Sequence, residues 1–217
     1  MEQVKQANTA SIKKNYIYSA LAKIFALLIP ILITPYLARV LEPDGNGVIS
    51  FVASIVSYFV IASNIGIETY GQKIISTNRD NKAYLKQFLI EITVLRAILT
   101  GICLVIYYVT FVLVLKANTM LYAIYGLTLM AVAIDFTWFF QGVENIKKIA
   151  FANILSKVLY VVLVFVLVKE KKDLNLSAFI LVVTNVLPYF FLIPFIFKYT
   201  RRVKLENRIN PFCHFKE

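Results

Sequence analysis

Six apolar stretches constrain what this chain of 217 residues can fold into. A helix needs roughly 20 apolar residues to cross the hydrocarbon core of a bilayer, which is about 30 Å thick. The six stretches cover residues 16–40, 48–67, 88–115, 120–141, 149–168 and 177–197. None shows the two-residue alternation typical of transmembrane β-strands. The pattern predicts an all-α integral membrane protein built as a bundle of six transmembrane helices.

Composition agrees with this prediction and excludes several other classes of protein. Apolar residues make up 59% of the chain and charged residues 16%, whereas soluble domains carry roughly 25% charged residues. Two cysteines are too few for a disulfide-stabilised scaffold. The single histidine, His214, argues against a structural zinc site.

The lysines and arginines predict the orientation of the bundle. If the N-terminus is cytoplasmic, the inner segments carry 15 cations and the outer segments carry five. Cytoplasmic loops of membrane proteins are enriched in lysine and arginine, so both termini are expected in the cytoplasm. Because the basic residues are divided among several loops, they indicate contact with membrane lipids and no nucleic-acid partner.

This orientation divides the chain into three parts. Residues 1–15 form a cytoplasmic N-terminal segment, and residues 16–197 form the six-helix transmembrane lobe. Residues 198–217 form a basic cytoplasmic tail that resembles the start of a linker to a second lobe. We expect a multi-pass protein of the cytoplasmic membrane.

No sequence motif predicts catalysis. The chain contains no GxxxxGK[ST] phosphate-binding loop, no GxGxxG, no HExxH and no GxSxG. The acidic residues near the membrane surfaces are scattered along the sequence. We therefore expect neither an enzyme nor a bound cofactor.

Five charged residues lie inside the predicted spans: Lys23, Glu91, Arg96, Asp135 and Lys157. Each would cost about 3 kcal/mol if it faced lipid near the bilayer centre. We therefore expect them to face the bundle interior, water or one another. Pairing of Arg96 and Lys157 with Asp135 and Glu91 is one alternative. Binding of a coupling proton or sodium ion by Asp135 is another.

The three cations inside the spans are predicted to lie in one layer of the membrane. Lys23, Arg96 and Lys157 each follow the inner end of an outward-running span by about eight residues, or roughly 12 Å. Asp135 lies at a similar depth on an inward-running span. Arg39, in contrast, is expected at the outer interface. Simple anchoring of Arg39, and extension of the Lys23 ammonium to the inner headgroups, remain alternatives.

Two sequence blocks resemble a known family. Residues 34–47 read TPYLARVLEPDGNG, and the likeness continues through NIGIETYG at 64–71. Residues 135–144 read DFTWFFQGVE. The blocks are similar to the TPYLARVLGPEGYG and DxxWFFQGxE segments of polysaccharide exporters in the multidrug/oligosaccharidyl-lipid/polysaccharide flippase superfamily. The chain departs from the family pattern at Glu42, Asn46 and Lys73.

The resemblance implies a Wzx-type flippase of O-antigen or capsule repeat units. Such a protein moves a polyprenyl-diphosphate-linked oligosaccharide across the cytoplasmic membrane for polysaccharide or lipopolysaccharide biosynthesis. Family members have 12 to 14 helices in two lobes, so six helices resemble the N-terminal lobe only. A missing C-terminal lobe or a second copy of the chain would complete the cavity.

Together the buried cations and the resemblance predict a substrate site. Lys23, Arg96 and Lys157 are expected to bind the diphosphate near the inner leaflet, and Tyr160 the sugars. Arg39 is expected near the point of release, while Glu91 and Asp135 form a charge network or couple transport to a proton or sodium gradient. The alternatives are a lobe of a cation-coupled multidrug antiporter, with acidic residues in its cavity, and a non-transporting membrane scaffold, with fully paired charges and no cavity.

Overall fold

A computed structural model describes residues 2–79, 81–114 and 118–201, leaving out the side chains of residues 2–16, 18, 19 and 22. This part of the chain is helical, with no strands. Its helices are α1 (Glu2–Val40), α2 (Glu42–Asn64), α3 (Ile67–Thr77), α4 (Lys82–Tyr107), α5 (Thr119–Val132), α6 (Thr137–Gly142), α7 (Ile146–Leu167) and α8 (Leu174–Thr200). A π-helical segment, Tyr108–Val114, extends α4, and a 3₁₀ turn, Lys171–Asp173, precedes α8.

Within the described residues, six helical segments have the length and apolar character needed to cross a membrane, which confirms the predicted six-span bundle. These segments are Lys23–Val40, Glu42–Asn64, Lys82–Val114, Thr119–Gly142, Ile146–Leu167 and Lys171–Thr200. Several extend beyond the apolar stretches of the sequence. For example, α2 begins at Glu42 because Pro43 occupies its first turn, where the missing N–H costs no hydrogen bond.

Contacts between loops define two ends of the bundle. At one end, the loop between α1 and α2 meets the loop between α7 and α8. Tyr36 donates a hydrogen bond of 2.6 Å to the Val168 carbonyl, and Lys171 Nζ lies 2.6 Å from Glu42 Oε2. At the opposite end, helices α3 and α6 pack against each other, and Arg79 Nη2 lies 2.7 Å from Glu144 Oε1. We call this second end the α3–α6 end.

Helix α3 lies within a region that the apolar pattern predicts as a loop. Ile65 and Gly66 adopt left-handed backbone conformations with φ of 32° and 74°, which separate α2 from α3. Glycine populates this region without the steric cost that a side chain brings. The short helix is amphipathic, burying Ile67, Gly71 and Ile75. Because α3 contains many polar residues, the apolar pattern of the sequence does not reveal it.

The fourth span is interrupted, whereas the sequence predicts one continuous helix over residues 120–141. Helix α5 ends at Val132 and α6 begins at Thr137. The Asp135 carboxylate accepts hydrogen bonds from the Thr137 backbone N–H at 2.8 Å and from its hydroxyl at 2.6 Å. Backbone groups freed inside a membrane need such substitute partners, so Asp135 makes the interruption tolerable.

Among the described side chains, two clusters of buried apolar residues hold the bundle together. The larger contains Tyr107, Tyr122, Tyr125 and Tyr160 among aliphatic residues from α1, α2, α5, α7 and α8. The smaller lies at the α3–α6 end, around Trp138 and its aromatic neighbours. The functional side chains described below lie mainly near this second cluster.

Candidate functional site: a cationic cavity beside a buried charge cluster

A cavity of about 670 Å³ lies between α1 and α7, with Gln72 of α3 and Gln141 of α6 also in its wall. Lys23 and Lys157 both line it. Thus two of the three cations predicted to share a depth share one cavity. The structure places Arg96 elsewhere.

Polar and apolar side chains surround the two lysines. The polar residues are Gln72, Gln141 and Asn153, and the apolar ones are contributed mainly by α7. Lys157 Nζ donates a hydrogen bond of 2.8 Å to Asn185 Oδ1 on α8. A neutral amide orients the ammonium group without neutralising its charge, so this cation keeps its capacity to attract an anion.

The amides of Gln72 and Gln141 form one boundary of the cavity. The Gln72 side-chain amide donates a hydrogen bond to Gln141 Oε1, joining α3 to α6. Close packing at Gly71 supports this contact, since a Cβ there would lie 2.5 Å from the Trp138 ring. The absence of a side chain at Gly71 therefore lets the two short helices approach closely enough for their glutamines to meet.

The second group of charges consists of Arg96 and Asp135, which are buried, and Glu68, whose side chain is 40% exposed. Arg96 is 2% exposed. Its Nη1 donates to the Asp135 carbonyl at 2.7 Å, and its Nη2 donates to Glu68 Oε1 at 3.0 Å. The Asp135 carboxylate lies 3.6 Å from Nη2. We call these three residues the charge cluster.

The charge cluster and its neighbours connect five structural elements. Glu68 belongs to α3, Arg96 to α4, and Asp135 to the break between α5 and α6. Asn64, in the last turn of α2, donates a hydrogen bond of 2.8 Å to Glu68 Oε1. Tyr189 on α8 lies close enough to interact electrostatically with all three charged groups. Arg96 is thus enclosed by protein groups, whereas Lys157 lines an open cavity.

The remaining predicted site residues lie apart from the cavity. Arg39 is exposed at the end of α1, sixteen residues from Lys23, or about 24 Å along the helix. Tyr160 is 6% exposed and packs within the larger apolar cluster. Glu91 is buried in α4 and accepts a hydrogen bond of 3.1 Å from Gln87. Their predicted roles in binding or ion coupling stay predictions.

Sequence reasoning did not identify several residues that the structure places at these sites. Gln72, Gln141 and Asn185 carry no charge, so nothing marks them as costly in a membrane. Glu68 falls in the predicted loop. A signal was nevertheless present for two of them, since Glu68 and Gln141 lie inside the sequence blocks that carry the family resemblance.

An exposed ion pair lies at the α3–α6 end. Arg79 Nη2 contacts Glu144 Oε1 at 2.7 Å, and Arg79 Nε donates to the Gly142 carbonyl at 3.1 Å. The hydrogen bond from Arg79, together with its positive charge, lowers the pKa of Glu144 below its usual value of 4.5. This pair ties the residues that follow α3 to those that follow α6.

Comparison with known proteins identifies the family. The family model described as "Polysaccharide biosynthesis protein" matches residues 12–214. The chain belongs to this family. The matched residues contain the sequence blocks noted above. The predicted resemblance is therefore confirmed.

Curated relatives agree with membership of the polysaccharide biosynthesis family. A protein of Escherichia coli (strain K12) named "Putative O-antigen transporter" is 27% identical over 175 residues, which cover 80% of this chain. A protein of Shigella dysenteriae with the same name is 26% identical over 169 residues, covering 77% of this chain. The matched regions span 42% of each relative's length. No solved structure matches the chain.

Proposed function

We propose that this chain is one lobe of a flippase that moves polyprenyl-diphosphate-linked oligosaccharide repeat units across the cytoplasmic membrane. The observation that carries the proposal is the cavity lined by Lys23 and Lys157. Family membership and the names of the two relatives support the same class of cargo.

The cavity chemistry suits a diphosphate joined to a sugar. A diphosphate carries about two negative charges, and ammonium groups in surroundings of low polarity attract such charges more strongly than they do in bulk water. Lys23 and Lys157 supply these groups, while the amides of Gln72, Gln141 and Asn153 can exchange hydrogen bonds with sugar hydroxyls. The prenyl chain remains in the lipid beside the bundle.

The proposed orientation places the α3–α6 end toward the cytoplasm. This follows from the excess of lysine and arginine in the segments assigned to that side. The cavity then loads from the inner leaflet, and Arg39 lies near the outer surface where the cargo leaves. A C-terminal lobe or a second copy of the chain would supply the facing wall of the transport pathway.

The cavity lining favours this proposal over the two alternatives. A lobe of a cation-coupled drug antiporter calls for acidic residues in its cavity, whereas the described lining contains two lysines and no carboxylate. A non-transporting scaffold calls for fully paired charges and no cavity. Lys157 is held by a neutral amide beside a cavity of about 670 Å³.

Complementation of a glycan-export mutant tests the proposal. The chain is expressed alone and joined to a C-terminal lobe from a homologous flippase whose substrate the mutant strain makes. Export by the joined protein is expected to fall at least tenfold in Lys23→Gln and Lys157→Gln, since each variant loses a charge-assisted contact. Lys172→Gln, which changes a side chain 76% exposed at the other end, is the matched control.

Each result decides between the alternatives. Export that requires the second lobe and both lysines supports the proposal. Export by the chain alone would favour assembly of two copies. Normal export by the double variant Lys23→Gln/Lys157→Gln at normal membrane levels would refute a diphosphate role for the cavity. Drug resistance without glycan export would favour the antiporter.

A further inference from the structure

A second cavity, of about 470 Å³, lies on another face of the bundle, between α4 and α8 beside the break that separates α5 from α6. Its walls include Leu89 and Val94 of α4, Phe136 of the break, and Ile196 and Phe197 of α8. We call it the α4–α8 groove. It shares no lining residue with the cationic cavity.

The groove is amphipathic along its length. Lys86 lines one end, near the start of α4, and it is the charged residue among the described lining residues. From Lys86 to Val94 the helix rises about 12 Å, close to the depth of one leaflet of a bilayer whose core is about 30 Å thick. A cation at the membrane surface followed by an apolar channel complements an anionic headgroup followed by an acyl chain.

Hydroxyl groups in the groove wall do not alter its apolar character. Thr93 Oγ1 donates to the Leu89 carbonyl at 2.6 Å, and Thr200 Oγ1 donates to the Ile196 carbonyl at 3.0 Å. Because both hydroxyls are bonded within their own helices, the wall requires no polar ligand. Val94 and Phe197 remain 39% and 66% exposed, so an acyl chain can cover them.

Cations outside the groove reinforce the charge at its headgroup end. Lys82 begins α4, and Lys198 and Arg201 lie in the last turn of α8 and directly after it. An anionic lipid near a membrane surface gains roughly fivefold in affinity for each lysine that it meets.

From this geometry we infer that the α4–α8 groove binds one anionic phospholipid, with its phosphate at Lys86 and an acyl chain against Val94, Phe136 and Phe197. The occupant is a lipid of the surrounding leaflet and not the transported cargo. The inference therefore stands independently of the proposed transport function.

Native mass spectrometry of the purified chain in detergent provides the test. Dioleoyl phosphatidylglycerol and dioleoyl phosphatidylcholine, which have the same acyl chains, are titrated separately. We expect one tightly bound phosphatidylglycerol, weaker binding of phosphatidylcholine, and a loss of roughly fivefold in phosphatidylglycerol affinity for Lys86→Gln. Lys82→Gln removes a charge at the same end but outside the groove, and is expected to change affinity less.

A second variant tests the apolar part of the groove. Val94→Trp places a large ring over the channel from a partly exposed position, and it is expected to weaken both lipids to a similar extent. Equal binding of the two lipids to the original chain would overturn the inference. So would equal losses in Lys86→Gln and Lys82→Gln, which indicate general surface attraction. Displacement of phosphatidylglycerol by an equimolar polyprenyl phosphate would overturn it in favour of a carrier lipid.

Discussion

The cationic cavity and the charge cluster use the same kinds of side chain in opposite ways. Lys157 lines a cavity and bonds to a neutral amide, whereas Arg96 is 2% exposed and faces two carboxylates. A charge inside a span therefore indicates function only when its surroundings leave it uncompensated. By this criterion Lys23 and Lys157 are candidates for substrate contact, while Arg96 stabilises the fold.

Helix α3 joins the two regions. It carries Glu68 of the charge cluster and, one turn later, Gln72 of the cavity boundary. The segment from the end of α5 to the end of α6 likewise carries Asp135 of the charge cluster and Gln141 of the cavity boundary. A structural change in one region is therefore expected to reach the other mainly through the α3–α6 contact.

The largest expected effect is that of Arg96→Leu. Removing one partner of a buried ion pair leaves uncompensated charge, which typically costs about 3–5 kcal/mol of unfolding free energy. Thermal unfolding in detergent measures the loss, with membrane levels as a second readout. Adding Asp135→Asn should restore part of the stability, because it removes a buried negative charge and keeps the oxygen that accepts from Thr137. An Arg96→Leu protein as stable as the original would contradict the structural role.

Gly71→Ala should have the next largest effect and should disturb both regions. The added Cβ would lie 2.5 Å from the Trp138 ring, which is 1% exposed and has little room to move. Overpacking of this kind costs about 1–3 kcal/mol of unfolding free energy. The melting temperature checks this cost. Gly101→Ala is the matched control, since a Cβ at Gly101 meets no atom within 4 Å. Equal stability of the two variants would show that α3 and α6 can separate without cost.

The sequence predicted the spans, because these follow from the apolar length needed to cross a bilayer. The shared depth of Lys23, Arg96 and Lys157 stays a prediction. The sequence could not predict which charges meet, because helix facing depends on tertiary packing. Arg96 and Asp135 come together, but the third partner, Glu68, lies on a helix too short and too polar for the span pattern to reveal. The break at Asp135 was missed because apolar residues flank it. Lys157 donates a hydrogen bond to Asn185, which the charge pattern could not reveal because an amide is neutral.

Lys157→Gln should separate binding from stability. Glutamine keeps an N–H donor on a side chain one atom shorter than that of lysine, so we expect the unfolding free energy to change by no more than about 1 kcal/mol. Affinity for farnesyl diphosphate, measured by calorimetry on the chain in nanodiscs, should fall at least tenfold through loss of a charge-assisted contact. Lys172→Gln should leave affinity unchanged. A large stability loss with unchanged affinity in Lys157→Gln would reverse the assignment of the two regions.

Breaking the exposed pair Arg79–Glu144 should have the smallest effect on stability, and it provides a reference for the charge cluster. The pKa of Glu144 is lowered in the folded protein, so its contribution to stability is present above the usual pKa of 4.5 and disappears as the pH falls through the folded-state pKa. The partners are 37% and 49% exposed, and solvent screening limits such pairs to about 0.2–1 kcal/mol. Glu144→Gln should therefore lower the melting temperature slightly at about pH 7, with the difference from the original chain disappearing as the pH falls through the lowered pKa of Glu144. Thermal melts across this range, repeated at high salt, provide the measurement. An effect at neutral pH as large as that of Arg96→Leu would mean that burial does not distinguish the two arginines.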